Sequence, residues 1–476
     1  MENIKKSILF SLISVILQVY TGSIVLMFLA KLLKLSNFGE LSFGIALSGI
    51  IATCADFGLS LMTIRDLPQN RFIPEEYLSN VFTQKLIISI VVLFLGYLYI
   101  HVFFSSENYF SIKLLFLIDG IILSYSGYLV ALFQATNKFK TEAYSVILGA
   151  VSLTMIVLSH YILNFSFEIL CLLFVFSHLV KLIWLLVNSK QVNSIKKLTY
   201  NKKIQNYLFK NSWSFGLHYI IGVFYFSVDT QIISKILGIN QLALYSSAFR
   251  VITAILLFSN IISQVFLPYL SSRYKHIDNQ FKEIVQQLIL VVFCCTYFIG
   301  TVMIIFREEV MSLLYKVEYI GSAILFMPLL LMCLLRGMAG IFGILLTISN
   351  HQEYRVKAII ASLIISFASN YILIPIYKIQ GAAFASMFTH MVLLISYIFY
   401  VYRIYKTTFM NKKLILIFIF TNLFTLVLYL FIESKLLSLI FLGILLLIVI
   451  KFLQREILYF FEIIKGNFNN SNTRIS

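Results

Sequence analysis

The sequence predicts an all-α polytopic membrane protein with about 14 transmembrane helices. Three observations lead there. Apolar residues make up 60% of the 476-residue chain and charged residues only 12%, about half the charged share of a soluble domain. A soluble chain of this length leaves too much surface facing water to hide that content, and the same balance excludes a disordered chain. Mean hydropathy is +0.93, and the apolar residues form long unbroken runs. A transmembrane barrel instead alternates apolar and polar residues over strands of about ten. Finally, the apolar content is enough for roughly 14 spans at about 20 residues each.

Taken in order, the runs place helices near 8–30, 40–62, 82–104, 112–134, 143–163 and 166–188. A basic stretch, 189–211, follows. Helices then fall near 212–237, 242–270, 284–306, 321–347, 356–376 and 380–403, and a last pair near 412–432 and 436–460. Residues 1–188 therefore read as an N-terminal lobe and 189–211 as a cytoplasmic basic linker. Residues 212–403 read as a C-terminal lobe, 404–465 as two added helices and 466–476 as a disordered cytoplasmic tail. The first run is too long for a signal peptide and no small-residue cleavage site follows it, so it reads as a retained span. In the linker, Ile204, Tyr207, Leu208 and Asn211 fall at helical spacing. That pattern suits either a helix lying on the inner leaflet or a solvated linker.

The net charge of +17 raises nucleic-acid binding as a first thought, but the placement of the cations answers it. About 27 Lys and Arg fall on the side of the two termini, Lys85 among them, and about 8 on the other, Lys113 among them. The bias places both termini in the cytoplasm and makes the charge a topology signal and an attraction to anionic lipid. Cys54, Cys171, Cys294, Cys295 and Cys333 all lie in apolar runs without a CxxC. They read as small buried hydrophobes rather than a disulfide or metal set.

A weak internal repeat supports two halves. At an offset of 204, Lys31 meets Lys235, Leu33 meets Leu237, Leu35 meets Ile239 and Ser42 meets Ser246. Both copies sit where an odd span turns into an even one, and repeat-built halves around a central cavity are a common transporter plan.

The loops are too short for a soluble catalytic domain, and no nucleotide-binding or zinc-protease motif is present, so no cofactor or metal is expected. Ionisable residues within spans are the functional candidates, because burying them is costly. They are Arg250, Arg336, Asp56, Asp119 and Asp229, with His390 at mid-depth in the twelfth span. Asp229 and Arg250 each lie about eight residues from the turn at 238–241, hence about 12 Å deep. That predicts an ion pair or one shared polar cavity, either as a packing device or as part of a site. Arg336, near mid-membrane, cannot readily shed its proton. It needs an anion, a carbonyl or water nearby, and a transported phosphate, which guanidinium binds in bidentate fashion, would meet that need. Asp56 and Arg65 are about 13 Å apart along a helix, too far to pair directly. Gly337, Gly340 and Gly343 suit either close helix packing or a hinge.

Four stretches carry a family resemblance. They are Phe38-Gly39 with Ala55-Asp56-Phe57-Gly58-Leu59 and Arg65; Asp229 to Gly238 with Leu244-Tyr245 and Ala248; Leu313-Leu314-Tyr315 to Glu318-Tyr319; and Asn370, Pro375 and Gly381-Ala382-Ala383. With them the chain resembles the polysaccharide transporter family of the MOP flippase superfamily, which includes the Wzx-type O-antigen flippases. Lys34 and Ala243 depart from the small or glycine residues more usual there. The resemblance implies two six-helix lobes around a central cavity plus two C-terminal helices. It also implies flipping of an undecaprenyl-pyrophosphate-linked oligosaccharide by alternating access. A coupling ion, H+ or Na+, and partnership with a polysaccharide polymerase and chain-length regulator belong to the same expectation. The alternatives are an ion-coupled drug or metabolite antiporter, for which acidic cavity residues are expected, and a membrane glycan polymerase, for which a large outer loop is expected.

One experiment follows from depth alone. Exchanging Asp229 and Arg250 is expected to restore more function than either single change leaves; an exchange no better than the singles excludes the pairing.

Overall fold

The computed structural model describes residues 14, 16–18, 20–67, 73–104, 109–136, 138–189, 199–273, 279–349, 351–410, 412–431 and 434–452. The start of the first expected span, part of the 189–211 linker, the end of the fourteenth span and the tail expected at 466–476 lie outside the described residues. The described residues are helical almost throughout and hold no strand. Eight segments among them are long and apolar enough to cross a membrane, and shorter apolar helices lie beside these. The protein is a multi-pass membrane protein.

By its contacts the chain divides into two compact units, Met1–Ser246 and Ser247–Ser476. The first begins with a π-helical turn, Tyr20–Val25, leading into α1 (Leu26–Leu32). α2 (Leu35–Asp56), α3 (Leu59–Asp66), α4 (Pro74–Phe104), α5 (Phe110–Ala135), α6 (Phe139–Leu163) and α7 (Phe167–Asn188) follow. α8 (Lys202–Ile236) and the start of α9 (Ile239–Thr253) complete the unit. α5 is central: α2, α3, α4, α6 and α7 all pack on it. Its apolar contacts with Leu59, Met62, Tyr77, Leu78 and Val81 form one end of the core.

The span expected at 40–62 is two helices. Phe57 (φ 47°) and Gly58 (φ 78°) are left-handed and end α2. The interruption has an internal partner, since the Asp56 carboxylate accepts from Ser60 N (3.3 Å) and Ser60 Oγ (2.5 Å). It thereby satisfies a donor that the first turn of α3 leaves open. Gly216 of α8 sits against this break, and a Cβ there would lie 2.6 Å from the Phe57 carbonyl oxygen.

α8 starts well before the span expected at 212. Ile204 and Leu208 join the core of the first unit, so the end of the basic linker is a buried helical turn. Hydrogen bonds hold it to α4: Asn201 N donates to Asn80 Oδ1 (2.8 Å), and Gln205 Nε2 donates to the Asn80 carbonyl (2.8 Å). The helical spacing of the apolar residues was right; their face is turned to protein. The repeat also appears in the helix ends. α1 stops at Leu32 and α2 starts at Leu35, while α8 stops at Ile236 and α9 starts at Ile239. The offset at both positions is the 204 residues found in the sequence. Gly39 lies directly under the Ile239 carbonyl.

The second unit contains the rest of α9, then α10 (Leu256–Arg273), α11 (Asn279–Ile305) and the short α12 (Arg307–Leu314). A 3-10 segment, Val317–Leu325, leads into α13 (Phe326–Ile348), followed by α14 (Gln352–Tyr405), α15 (Lys412–Phe431) and α16 (Lys435–Phe452). The span expected at 242–270 is interrupted by a turn at Ala254–Ile255. The helical run of α14 is 54 residues long, about 80 Å if straight and far beyond a bilayer. It reverses at Lys378 (φ 53°, ψ −134°), between the spans expected at 356–376 and 380–403. Gly381 makes the reversal possible, because any Cβ would overlap the Leu373 carbonyl.

Substituting Gly381 by Ala is expected to destabilise the folded protein by about 1–3 kcal/mol through this overlap. Gly127 has nothing within 4 Å of its would-be Cβ, so Gly127→Ala is the neutral control. Thermal unfolding of both variants in detergent measures the difference.

Candidate functional site

The first unit contains buried ion pairs. Lys113, 1% exposed, donates to Glu40 Oε2 at 2.9 Å between α5 and α2. Its Nζ lies 5.6 Å from the Phe43 ring centre and 5.7 Å from that of Phe104. Lys85, 0% exposed, donates to Asp56 Oδ1 (3.1 Å) and Ser124 Oγ (2.7 Å). The rings of Tyr125 and Tyr128 lie 5.3 and 5.5 Å from its Nζ. Each cation therefore has a carboxylate and aromatic faces in place of water, as burial demands. These placements correct the reading of Lys85 and Lys113 as loop cations. Pro74, Glu75 and Glu76 open α4, a helix-start signal that places Lys85 three turns inside.

Asp119, at mid-length in α5, is 1% exposed, and its Oδ1 lies 2.7 Å from His178 Nδ1 on α7. The other oxygen, Oδ2, is buried without a hydrogen-bond partner. His178 keeps 23% of its side-chain surface, and Phe174 meets its ring edge-on at 5.1 Å. One turn further along α7, Lys181 acts on Glu142 of α6, which accepts from Gln134 Nε2 at 3.0 Å. Asp229 of α8 accepts from Tyr245 Oη and, at 2.9 Å, from the Thr230 amide.

In the second unit, Arg250 on α9 lies in the field of Tyr315. Burial pushes the Tyr315 phenol up and the Arg250 charge opposes the rise. Tyr315 Oη donates to the Ser247 carbonyl at 3.3 Å. α9 touches α13 near its end, where Cys333 Sγ lies 3.7 Å from the Ile252 carbonyl. The two helices that carry Arg250 and Arg336 meet at this contact. His390 is buried in the second arm of α14, its Nδ1 2.8 Å from the Ser386 carbonyl, and Arg336 acts on it electrostatically. Elsewhere in the unit, Tyr297 Oη lies 2.7 Å from the Thr421 carbonyl and 2.6 Å from Thr425 Oγ1, joining α11 to α15.

Of the six residues singled out from the sequence, then, Arg336 and His390 are brought together, while Asp56 and Asp119 each belong to a buried pair of the first unit. Sequence reasoning missed Lys85, Lys113, Glu40 and His178. The signal for Glu40 and Lys113 was an acid and a base four to six residues inside helix starts that were drawn too late.

Helices long enough to cross a membrane many times, in units that bury paired charges, define a polytopic membrane protein. The fold is that of the MOP superfamily. The lipid II flippase MurJ in an inward closed conformation aligns with a TM-score of 0.73 at 15% identity, over 94% of this chain and 100% of that one. An inward-facing multidrug resistance MATE family transporter aligns with a TM-score of 0.68 at 14% identity, over 84% of this chain and 99% of that one. The chain belongs to the polysaccharide biosynthesis protein family, whose pattern matches residues 4–274. Among relatives, the capsular polysaccharide biosynthesis protein CapF of Staphylococcus aureus is 26% identical over 354 residues, 71% of this chain and 84% of CapF. The probable low-salt glycan biosynthesis flippase Agl15 of Haloferax volcanii is 26% identical over 368 residues, 75% of each chain.

Lys113→Met is expected to destabilise the protein by roughly 3 kcal/mol, because it strands Glu40. The double variant Glu40→Met, Lys113→Met is expected to recover most of that loss. Thermal unfolding of the single and double variants measures it.

Proposed function

We propose that this protein is a flippase that carries an undecaprenyl-pyrophosphate-linked oligosaccharide across the cytoplasmic membrane for surface polysaccharide assembly. The observation that carries the reading is the family match over residues 4–274, in a chain whose fold is that of MOP transporters. The relatives' names, a capsular polysaccharide protein and a probable glycan flippase, support the same class of substrate. The work is transport rather than catalysis. The positive bias of the loops favours both termini in the cytoplasm, and burial of Lys85 and Lys113 removes one cation from each side of that count.

The chemistry assigned to the second unit is anion recognition. Arg250 and Arg336 are guanidinium groups on two helices of this unit that touch at Cys333, and guanidinium retains its charge when buried. A pyrophosphate offers oxygens that two such groups can bind in parallel, and developing contacts to it in one state but not the other would drive alternating access. His390, beside Arg336, is assigned to the same site as a hydrogen-bonding group. Asp229 holds Tyr245 near the α8–α9 turn and is assigned a supporting role. The polymerase and chain-length regulator are partners of this reading, acting on the repeat unit after it crosses.

The test is a deletion strain, complemented or not with this chain, from which lipid-linked oligosaccharides are extracted and surface glycan is scored. Expected is loss of surface glycan with complete undecaprenyl-linked repeat units trapped on the inner leaflet. Single repeat units reaching the surface unpolymerised would point to a polymerase. Unchanged glycan with altered sensitivity to cationic drugs would point to an antiporter. In the complemented strain, Arg250→Ala and Arg336→Ala are each expected to lower export at least tenfold while the protein stays in the membrane. Normal export by both removes the anion site.

A further inference from the structure

We propose that the π-helical turn ahead of α1, with Gln18 before it, forms a binding surface for sugar hydroxyls of the cargo. The inference rests on the transport reading above and names the part of the cargo that the first unit meets.

The apolar helix Ile16–Leu32 carries a run of neutral polar residues, Gln18, Tyr20, Thr21 and Ser23, around Gly22. Counted back from Leu32 at 1.5 Å per residue, Ser23 lies about 14 Å and Gln18 about 21 Å along the helix. A hydrocarbon core is about 30 Å thick, so these residues straddle the middle of a span. The backbone there is unusual as well. Tyr20–Val25 is a π-helical turn, a rare geometry found mostly as single turns and often at functional sites.

Two of the polar groups are used inside the protein. The Thr21 hydroxyl lies 3.0 Å from both the Leu17 and the Gln18 carbonyls, and so serves acceptors of its own helix. Tyr20 Oη lies 3.3 Å from Thr154 Oγ1 on α6. Thr154 Oγ1 gives its own proton to the Ala150 carbonyl, so the phenol is the donor. α6 packs on the π-helical turn, and this bond fixes which face of the turn meets protein.

The other face is open. Gln18 and Gly22, four residues apart, are exposed, and nothing lies within 4 Å of a would-be Cβ on Gly22. Ser23 is half-buried. Among the described residues, neither the Gln18 side-chain amide nor the Ser23 hydroxyl has a hydrogen-bond partner. A primary amide turned to hydrocarbon without a partner is costly. Irregular backbone at membrane depth is tolerated only where protein covers it or a water-filled cavity adjoins it. α6 covers one face, and the open face therefore belongs to a cavity.

The chemistry selects the ligand. The run carries no charge, so it offers no counter-charge to a diphosphate or to a cationic drug. The Gln18 amide has two donors and an acceptor, and the Ser23 hydroxyl both donates and accepts. Such groups match the hydroxyls of a sugar, each of which is also donor and acceptor. A few placed polar groups on an otherwise apolar wall are what orient a ligand. Gly22, between the two, leaves room for a ring to approach the helix. The surface is one for the glycan and not for its diphosphate.

The surface is tested on the full chain, first for water and then for the ligand. Membranes carrying Gln18→Cys are treated on both sides with a charged maleimide, which reaches thiols in water and not in hydrocarbon. Labelling is measured above that of the native cysteines. Gln18→Cys is expected to label readily and Val91→Cys, on the exposed apolar face of α4, is expected not to. A Gln18→Cys variant that labels no faster than Val91→Cys overturns the site, because the face then meets lipid. Binding is measured on the purified protein in lipid nanodiscs, with undecaprenyl diphosphate and with the lipid-linked repeat units extracted from the deletion strain. The wild type is expected to hold the repeat-unit lipid about tenfold more tightly, the worth of roughly two hydrogen bonds. The double variant Gln18→Leu, Ser23→Ala is expected to lose that preference and to keep the wild-type affinity for undecaprenyl diphosphate. Gly22→Leu, which fills the open space without touching protein, is expected to do the same. Equal binding of the two lipids by the wild type, a preference kept by the variants, or loss of both lipids by both variants overturns the sugar surface. If the wild type binds neither lipid, the transport reading fails and the surface loses its ligand with it, while the labelling still decides whether the face meets water.

Discussion

Lys113 enters a helical bundle where water cannot follow, and Glu40 meets it at 2.9 Å. That pairing states the constraint on which the first unit is built. An ionised side chain away from water must find its counter-charge in protein, and the geometry must be good enough to offset desolvation. Lys85 obeys it through Asp56 and Ser124, while Asp119 shares a hydrogen bond with His178 Nδ1 at 2.7 Å. α5 contributes to all three arrangements, through Lys113, Asp119 and Ser124. Its contacts with α2, α4 and α7 are therefore electrostatic as well as apolar, and each fixes the register of one helix against α5.

The same constraint governs the backbone. Irregular turns inside a membrane protein survive only where protein satisfies them. At Phe57–Gly58 the Asp56 carboxylate takes the Ser60 amide, and at Lys378 the two arms of α14 close on each other at Gly381. Gly39, Gly216 and Gly381 occur where another segment's carbonyl comes too near for a side chain. Two of the three lie in the stretches that carry the family resemblance, so part of that resemblance is close packing rather than substrate recognition. Asp56 shows how the two mix. It caps α3, holds Lys85 and marks the break against α8 in one side chain.

In the second unit, hydrogen bonds to hydroxyl and carbonyl groups tie the helices together. Tyr297 joins two threonine positions of α15, Tyr315 reaches the Ser247 carbonyl and Arg355 donates to Thr347 at 2.6 Å. In the function proposed above, Arg250 and Arg336 of this unit are the groups that meet an anionic cargo.

Composition and periodicity determined the class by themselves, because 60% apolar residues in long runs admit few solutions other than many spanning helices. The repeat at an offset of 204 was also legible, since side chains that shape a helix junction are local; the helix ends at Leu32 and Ile236 obey it. What lay across the bundle was not legible. His178 is 59 residues from Asp119, and Lys113 is 73 from Glu40, and nothing in the linear pattern says which helices are neighbours. For that reason Lys85 and Lys113 read as loop cations, and Ile204 and Leu208 as part of a linker lying on the leaflet or in solvent. Tertiary packing decided all four, because only in the packed bundle does a buried charge find its partner or an apolar stripe its protein surface.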